Sequence, residues 1–508
     1  MPGRDAIVLG ASLDGLVAAC ALARAGLKVT LIERLDAPGG AFREAELFPA
    51  VRGPVLRHDV ERFPAFLGAA LGLTDRGLRF ETAPASVSVV SGEPFAAPAA
   101  PDALRAVLAK LSPADAGTFP ESRATLARWA NALAPLLKAA PEPPIGPESI
   151  ARLGERDTLD RIELAESPAA EIACRVFEHK LLAAHLVHDA LALASISPDE
   201  KASGLLFGLS LAGGRFLAPD IRVAGGANAL IGALVAELSA HGGELRLSAD
   251  TLGVVLRGSR ARGVTLMGGE TLEAPLILSA LDPKRTLLAL VDQAVLPPEH
   301  AAAIRRIRTR GNIAKLSLLL DAWPEKPALS RRFFGLRWSL SGGVDAIADA
   351  IETAARGEIA EKPWLDMRAS QAGEGAKVLV SALINAVPHT PANGGWTSER
   401  RDLLIRRAIA VLDAAVPGLG AAVAGARLLT PDEIEESERI VGGDLMGAAL
   451  TPSQLLWNRP APGLAGYVTP IDGLWLCGES QHPGGLWPGL NGWNAAQAAL
   501  SRHVRRLP

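Results

Sequence analysis

Near the start of the chain, the turn Gly10-Ala-Ser-Leu-Asp-Gly15 follows the apolar run Ala6-Ile-Val-Leu9 and precedes a small-residue stretch, Leu16 to Ala25. Glycines in such a turn let the backbone approach a ligand closely, and a helix beginning there aims its N–H groups at it; the phosphates of a dinucleotide require both. The usual spacing is Gly-x-Gly-x-x-Gly. Here Ser12 takes the middle position, placing a Cβ and a hydroxyl where a phosphate approaches, and the hydroxyl can itself donate to a phosphate oxygen. A second apolar run, 27–32, ends at Glu33, with Arg34 beside it. A carboxylate there accepts from both ribose hydroxyls of an adenosine and disfavours a 2′-phosphate. Gly39-Gly40 supplies a second glycine turn, which NAD dehydrogenases do not need, and it moves the expected cofactor from NAD to FAD.

The other end of the chain carries Gly473-Leu-Trp-Leu-Cys-Gly478-Glu479-Ser480-Gln-His482-Pro-Gly-Gly485, then Gly489-Leu-Asn491-Gly492-Trp493. A strand ending in Gly478-Glu479 lets a carboxylate and a backbone N–H reach the cofactor's ribitol. A helix N-terminus formed from Gly489, Asn491 and Gly492, aimed at a flavin's pyrimidine ring, stabilises negative charge on the reduced ring. The candidate cofactor-binding residues are therefore Gly10, Ser12, Gly15, Glu33, Arg34, Gly39, Gly40, Gly478, Glu479, Gly489, Asn491 and Gly492. For proton handling, His482 is a candidate by its place in the C-terminal motif. His185 and Asp189, with His188, lie on the apolar stretch 181–196; His185 and Asp189 are four apart and share a helix face, an arrangement that can hold a proton-transferring imidazole. Satisfied polar groups in a helix interface are the competing reading for these residues and for His58-Asp59. No metal site is expected.

The elements that must position these groups follow from pattern. A strand at 6–9, a helix at 16–25 ended by Gly26 and a strand at 27–32 form a βαβ unit. Helices are expected over 103–111, 122–140 and 168–194, separated by Pro-rich breaks such as Pro141-Glu-Pro-Pro144. An α/β rhythm returns over 222–280: Gly225-Gly226, a helix over 229–241, and strands at 244–247, 253–256 and 276–279. Residues 283–431 mix helices with strands at 314–320 and 377–383, and a strand at 474–477 and a helix over 494–504 close the chain. The 508 residues imply two or three domains. An apolar fraction of 49% and a charged fraction of 21% are those of a folded globular chain. The net charge of −3, with no basic half, excludes a nucleic-acid footprint, and Arg502, Arg505 and Arg506 read as a solvated helix face. Three dispersed cysteines, Cys20, Cys174 and Cys477, exclude a disulfide framework and a dithiol centre and favour a reducing, cytoplasmic location. Met1 leads almost directly into the first strand, so no signal peptide is expected, and no apolar run approaches the roughly 18 residues of a membrane span.

The four glycine-rich or acidic segments, in this order, resemble the carotenoid-desaturase-related flavoproteins. The similarity is to the phytoene-desaturase-related branch that includes pyridine nucleotide-disulphide oxidoreductase domain-containing protein 2. Val223-Ala-Gly-Gly-Ala-Asn-Ala-Leu230 with His241-Gly242, Leu278-Ser-Ala-Leu-Asp-Pro283, Leu464-Ala-Gly-Tyr-Val-Thr-Pro470 and His482-Pro-Gly-Gly485 extend the resemblance over most of the chain. It implies an α/β fold: a Rossmann-like FAD-binding domain of the amine oxidase/carotenoid desaturase type, assembled from 1–75, 220–290 and 440–508. An inserted mixed α+β substrate domain would comprise 76–219 and 291–439. It implies an FAD-dependent oxidoreductase that abstracts hydride from a hydrophobic small molecule, often by carbon–carbon desaturation. The chain departs from the family pattern at Ser12, at Gly447 where relatives often carry histidine, and at Trp487, Asn491 and Trp493 where smaller residues are expected. Three other readings stay open. They are a flavin monooxygenase, an amine oxidase (though Tyr467 is the single tyrosine available for an aromatic cage), and an FAD-binding scaffold or partner protein with little catalysis of its own. The Ala/Leu-rich stretch 181–217 suits a hydrophobic ligand, a peripheral membrane contact or a plain core.

Overall fold

The structure is a computed structural model that describes residues 3–83, 85–138, 155–194, 196–201, 203–217, 221–309, 311–324, 334–373 and 375–504. The Pro141–Pro144 break and the tail residues Arg505 and Arg506 lie outside these. Strand β1 (Ala6–Leu9) is buried at every residue, as a short all-apolar run covered on both faces must be. Helix α1 (Leu13–Arg24) carries the chain to β2 (Val29–Ile32), which pairs in parallel with β1. Helix α2 (Gly226–Ala240) precedes β3 (Glu244–Arg246), which extends the sheet beyond β2. On the other side β1 pairs with β4 (Leu276–Ser279), and β4 with β5 (Leu474–Leu476), which leads to the last helix, α3 (Leu490–Val504). All five strands are parallel in the order β5-β4-β1-β2-β3. It is an α/β doubly layered sheet whose strands come from three separated stretches of chain.

Two helices start earlier than their apolar pattern, each because a polar side chain caps them. The Ser12 hydroxyl accepts from the Gly15 N–H at 3.3 Å, so α1 begins at Leu13 rather than Leu16. The Asp14 carboxylate accepts from the Gly492 N–H at 3.2 Å and helps α3 begin at Leu490 rather than Asn494. The single helix expected over 168–194 is instead two, Ala169–Val176 and Lys180–Leu191. The Asp115 carboxylate takes the N–H groups of Glu178 (2.8 Å) and His179 (3.1 Å), replacing the carbonyls that would have continued the first helix. Asp115 itself belongs to a helix over Pro113–Leu137, capped by Ser112, that begins nine residues before the expected 122.

A second sheet has seven strands in the order Val423–Leu429, Ala314–Leu320, Val378–Asn385, Trp364–Gln371, Arg337–Ser341, Ala85–Val90, Glu93–Pro98. Strand side chains alternate between faces. One face places Leu316, Leu318, Val380, Ala382, Leu365, Met367 and Trp338 in a core closed by Leu404, Ala408 and Leu412 of the helix Ser398–Ala415. The opposite face is also buried, yet it carries Lys315, Ser317, Ser381, Asp366, Arg337, Ser339 and Ser88. A buried sheet face made of charges and hydroxyls contradicts simple core formation and marks where this sheet meets polar chemistry. No helix among the described residues is long and apolar enough to cross a membrane.

Candidate functional site

A cleft runs along the C-terminal edge of the five-stranded sheet, where ligands bind in open parallel α/β sheets. Gly10, at the end of β1, has φ +88° and forms its floor. Gly15 backs the turn: a Cβ there would lie 1.9 Å from the Gly10 carbonyl oxygen, so only glycine lets α1 start this close to β1. Ser12 lines the cleft with its hydroxyl turned to the cap. Gly39 (φ +116°) donates to the Ala11 carbonyl at 2.7 Å, and Gly40 lies so near Ser12 that a Cβ on it would stand 3.0 Å from the Ser12 Cβ. The second glycine turn thus makes room for the serine of the first. Ser12→Ala is expected to cost the flavin-free protein about 1 kcal/mol and Ser12→Gly only a few tenths, read as urea midpoints. Equal losses would show that the hydroxyl does not cap.

Glu33 lines the cleft directly after β2. Its Oε2 accepts from the Ala11 N–H at 2.8 Å and its Oε1 from the Leu35 N–H at 3.0 Å. These two bonds fix the carboxylate at the cleft wall and leave lone pairs on both oxygens for a ribose. Arg34 also lines the cleft and donates to the Glu438 carbonyl at 2.8 Å; burial and then Arg439 lower its pKa.

At the far end Gly478 packs against Ala280, the residue after β4, where a Cβ would come 2.3 Å from the Ala280 carbonyl oxygen. Glu479 turns into the cleft, 4.0 Å from Arg57 Nη1. Burial raises its carboxyl to about 8, against the pull of Arg57, and raises Asp282 and Asp444 in the same cleft to about 6. Near pH 7 Glu479 is therefore largely neutral and can donate a hydrogen bond. An acid whose folded pKa lies above its unfolded one stabilises fully below the unfolded value, and that contribution is lost as pH rises through the folded value. For Glu479 the window runs from about 4.5 to about 8. Glu479→Gln should flatten the fall in melting temperature of the flavin-free protein between pH 5 and 8; an unchanged slope would mean this carboxyl does not titrate there.

Gly489, Asn491 and Gly492 do not line the cleft. Asn491 is fully buried, donates to the Asp14 carboxylate at 3.0 Å and accepts from the Gly484 N–H at 2.9 Å. A Cβ on Gly492 would stand 1.9 Å from the Asp14 carbonyl oxygen, and one on Gly489 would press Phe63 and Val17 at 3.0 Å. These residues join the first turns of α1 and α3. Gly447 lines the cleft at φ +75°, and any Cβ would collide with the Ser480 nitrogen at 2.5 Å, so a histidine does not fit this backbone. Trp487 is buried against Gly213, and Trp493 packs on the same core.

His482 is buried, which lowers its pKa to about 4; its Nε2 donates to the Leu136 carbonyl, and its own carbonyl accepts from the Tyr467 hydroxyl at 3.0 Å. Its Nδ1 and both amide atoms of Gln481 are buried with no hydrogen-bond partner among the described residues. Orphaned polar atoms just past Glu479, a glycine-floored centre and an anchored acid at the other end together suit an extended dinucleotide. Asp59, by contrast, is spent: it takes a bidentate bond from Arg57 at 2.9 and 2.7 Å.

His185 and Asp189 share a helix face but do not bond each other. His185 Nδ1 meets the Ser88 hydroxyl at 2.6 Å, and Asp189 accepts from Arg337 at 2.6 Å with Arg215 at 3.4 Å. Both belong to the polar face of the seven-stranded sheet, where Arg337 also holds Asp366 at 2.7 Å and His58 lies between Asp366 (3.4 Å) and the Ser381 hydroxyl (2.9 Å). Lys315 donates to Ser381, and burial lowers its amine to about 7. Arg57, Arg337, Asp366, Lys315 and Ser381 were not among the sequence candidates. The available signal was a charge at the inward position of an otherwise apolar strand, as in Ala-Lys-Leu-Ser-Leu at 314–318.

Beyond His58 opens a cavity of about 450 Å³, lined by His58, Ser381, Val60, Val223, Phe334, Ala369, Arg222, Arg368, Glu44 and the start of α2. His58 and Arg57 are consecutive: Arg57 stands 4.0 Å from Glu479 in the cleft lining, and His58 faces the cavity.

A family model for flavin containing amine oxidoreductases matches residues 15–500. Pyridine nucleotide-disulfide oxidoreductase domain-containing protein 2 of Rattus norvegicus is 26% identical over 547 residues, spanning 97% of this chain and 93% of that protein. Phytoene desaturase (lycopene-forming) of a Paracoccus species is 24% identical, spanning 98% and 97%. An oxidoreductase structure from Methanosarcina mazei superposes with a TM-score of 0.63 at 15% identity, covering 98% of this chain and 100% of that one, which shows a common fold.

Proposed function

The chain belongs to the flavin-containing amine oxidoreductase family and is an FAD-dependent oxidoreductase, and from that premise we propose that it takes hydride from a carbon of a hydrophobic substrate, leaving a new carbon–carbon double bond. Bound FAD supplies the two-electron acceptor for that hydride. The observation that supports the reading is the step from Arg57 to His58: one residue stands 4.0 Å from Glu479 in the cleft lining, the next lines the cavity. A substrate seated against Val60, Val223, Phe334 and Ala369 is then one chain segment away from the cofactor's cleft, with water displaced from apolar walls.

Desaturation releases a proton together with the hydride. Burial lowers the pKa of His58, so its ring is neutral at pH 7. With Lys315 unprotonated, the Ser381 hydroxyl can donate to its amine while accepting from His58 Nδ1–H, which leaves His58 Nε2 as the proton acceptor. With its pKa brought to about 7, the Lys315 amine is partly unprotonated at neutral pH and can take up a proton passed through His58 and Ser381.

The test is anaerobic mixing of the yellow holoprotein with saturated and partly unsaturated polyisoprenoids and, in parallel, with primary amines, following flavin absorbance and product mass. Bleaching with a product two hydrogens lighter is expected from the first group. Bleaching by amines alone, with carbonyl products, would replace desaturation by amine oxidation. A flavin that dithionite reduces but no hydrocarbon-bodied compound bleaches would sink the proposal.

A further inference from the structure

We propose that the cavity beside His58 takes an amphipathic acid, whose carboxylate is held at the cavity mouth by Arg222, Arg368 and the start of α2 while its apolar body points towards His58. This rests on the reading of the cavity as the substrate site. At about 450 Å³ it is in the range of small-molecule pockets, roughly 300–1,000 Å³.

The mouth is cationic for three separate reasons. Arg222 lines it and, among the described residues, forms no ion pair, although Glu81 faces it across the strand pair. Arg368 gives Nη2 to Glu61 at 3.1 Å, while its Nε is buried without a hydrogen-bond partner. The 15-residue helix α2 begins here behind Gly225 (φ +80°), which brings no capping side chain, and a Cβ on Gly226 would meet nothing within 4 Å. Its first turn thus lines the cavity without a side-chain cap, with the positive end of the helix dipole behind it. The one acid in the lining, Glu44, is already engaged by the Asn228 amide at 2.5 Å and lies beside Arg52. A neutral hydrocarbon would leave Arg222 and the Arg368 Nε unpaired. A cationic amine would meet two guanidinium groups. A carboxylate is planar, fits a guanidinium fork and suits a helix N-terminus.

The test is calorimetric binding of decanoate, decanol and decylammonium to the holoprotein, separate from any flavin bleaching. Decanoate should bind at least roughly tenfold tighter than decanol, the gain of one charge-assisted bond, and decylammonium more weakly than either. Arg222→Met and Arg368→Met should each remove roughly tenfold of decanoate affinity and leave decanol binding unchanged. Because Arg368 also steadies Glu61, Arg222→Met is the decisive variant: it breaks no side-chain hydrogen bond or ion pair among the described residues. Equal binding of acid and alcohol, tighter binding of the amine, no decanoate binding, or an Arg222→Met protein with undiminished preference would each overturn the proposal. If hydrocarbons bleach the flavin but decanoate does not bind, desaturation stands and the acid preference falls. If decanoate binds selectively but no compound bleaches the flavin, the reverse holds.

Discussion

Arg337→Met should destabilise the protein by about 3–5 kcal/mol at pH 7, because it leaves buried Asp366 without its cation and Asp189 with Arg215 alone. Arg337 donates Nη1 to Asp189 at 2.6 Å and Nε to Asp366 at 2.7 Å, all within a buried layer. Burial alone would raise both acids. Arg215 and Arg337 reverse this for Asp189, and Arg337 does so for Asp366, so both are held below the usual carboxylate range. The sign of the pH dependence follows. An acid with a depressed folded pKa contributes stability that is present above its unfolded value of 3.8 and is lost as pH falls through the folded value. Without Arg337 the folded value of Asp366 rises, so the deficit should be smaller at pH 4 than at pH 7. Urea midpoints at both pH values, with the Arg337→Met/Asp366→Leu double variant as a partial rescue, test this. A loss below 1 kcal/mol at pH 7, or one that shrinks as pH rises, would show that these acids are hydrated rather than held by Arg337.

Gly15→Ala should yield protein that does not retain flavin. The added methyl would have to occupy a point 1.9 Å from the Gly10 carbonyl oxygen, so the turn must open or α1 must move off the sheet. Overpacking of this kind costs about 1–3 kcal/mol, and here the distortion falls on the backbone that receives the phosphates, where each 1.4 kcal/mol is about tenfold in affinity. Gly232→Ala, on α2 with nothing within 4 Å of the new methyl, is the control; it should keep its flavin and gain up to about 1 kcal/mol. Flavin content per chain after purification, then the dissociation constant on reconstitution, are the measurements. Full flavin content in Gly15→Ala would mean the turn relaxes without cost.

The parallel sheet and its cleft were legible because their signals are local. Four apolar residues, a glycine turn and an acid at the end of the next strand lie within Ala6 to Glu33, and the structure sets Gly10, Ser12, Glu33, Arg34 and Gly40 along one cleft wall. The polar sheet face was not legible, because it exists only when five strands from residues 85 to 385 lie side by side. Lys315, Arg337, Asp366 and Ser381 each stand between two apolar neighbours, and nothing in their own segments says that the others are opposite. The same limit explains Asn491 and Gly492. Their glycine-rich context suits a cofactor loop, but Asp14, 477 residues earlier in sequence, is what they touch. The break at Glu178 was hidden likewise, since the acid that imposes it, Asp115, comes from another helix.

That last-to-first contact sets the order in which this protein can mature. On the ribosome, residues 6–32 are made with their glycine turn complete long before the wall formed by Glu479 and Ser480 and the helix that pins Asp14. A nascent chain that lacks the later segment therefore has half a receptacle, and cofactor capture must follow synthesis of both. Protein made under flavin starvation should accumulate as a full-length, loadable pool, whereas chains stopped before Leu474 should remain colourless at any flavin supply.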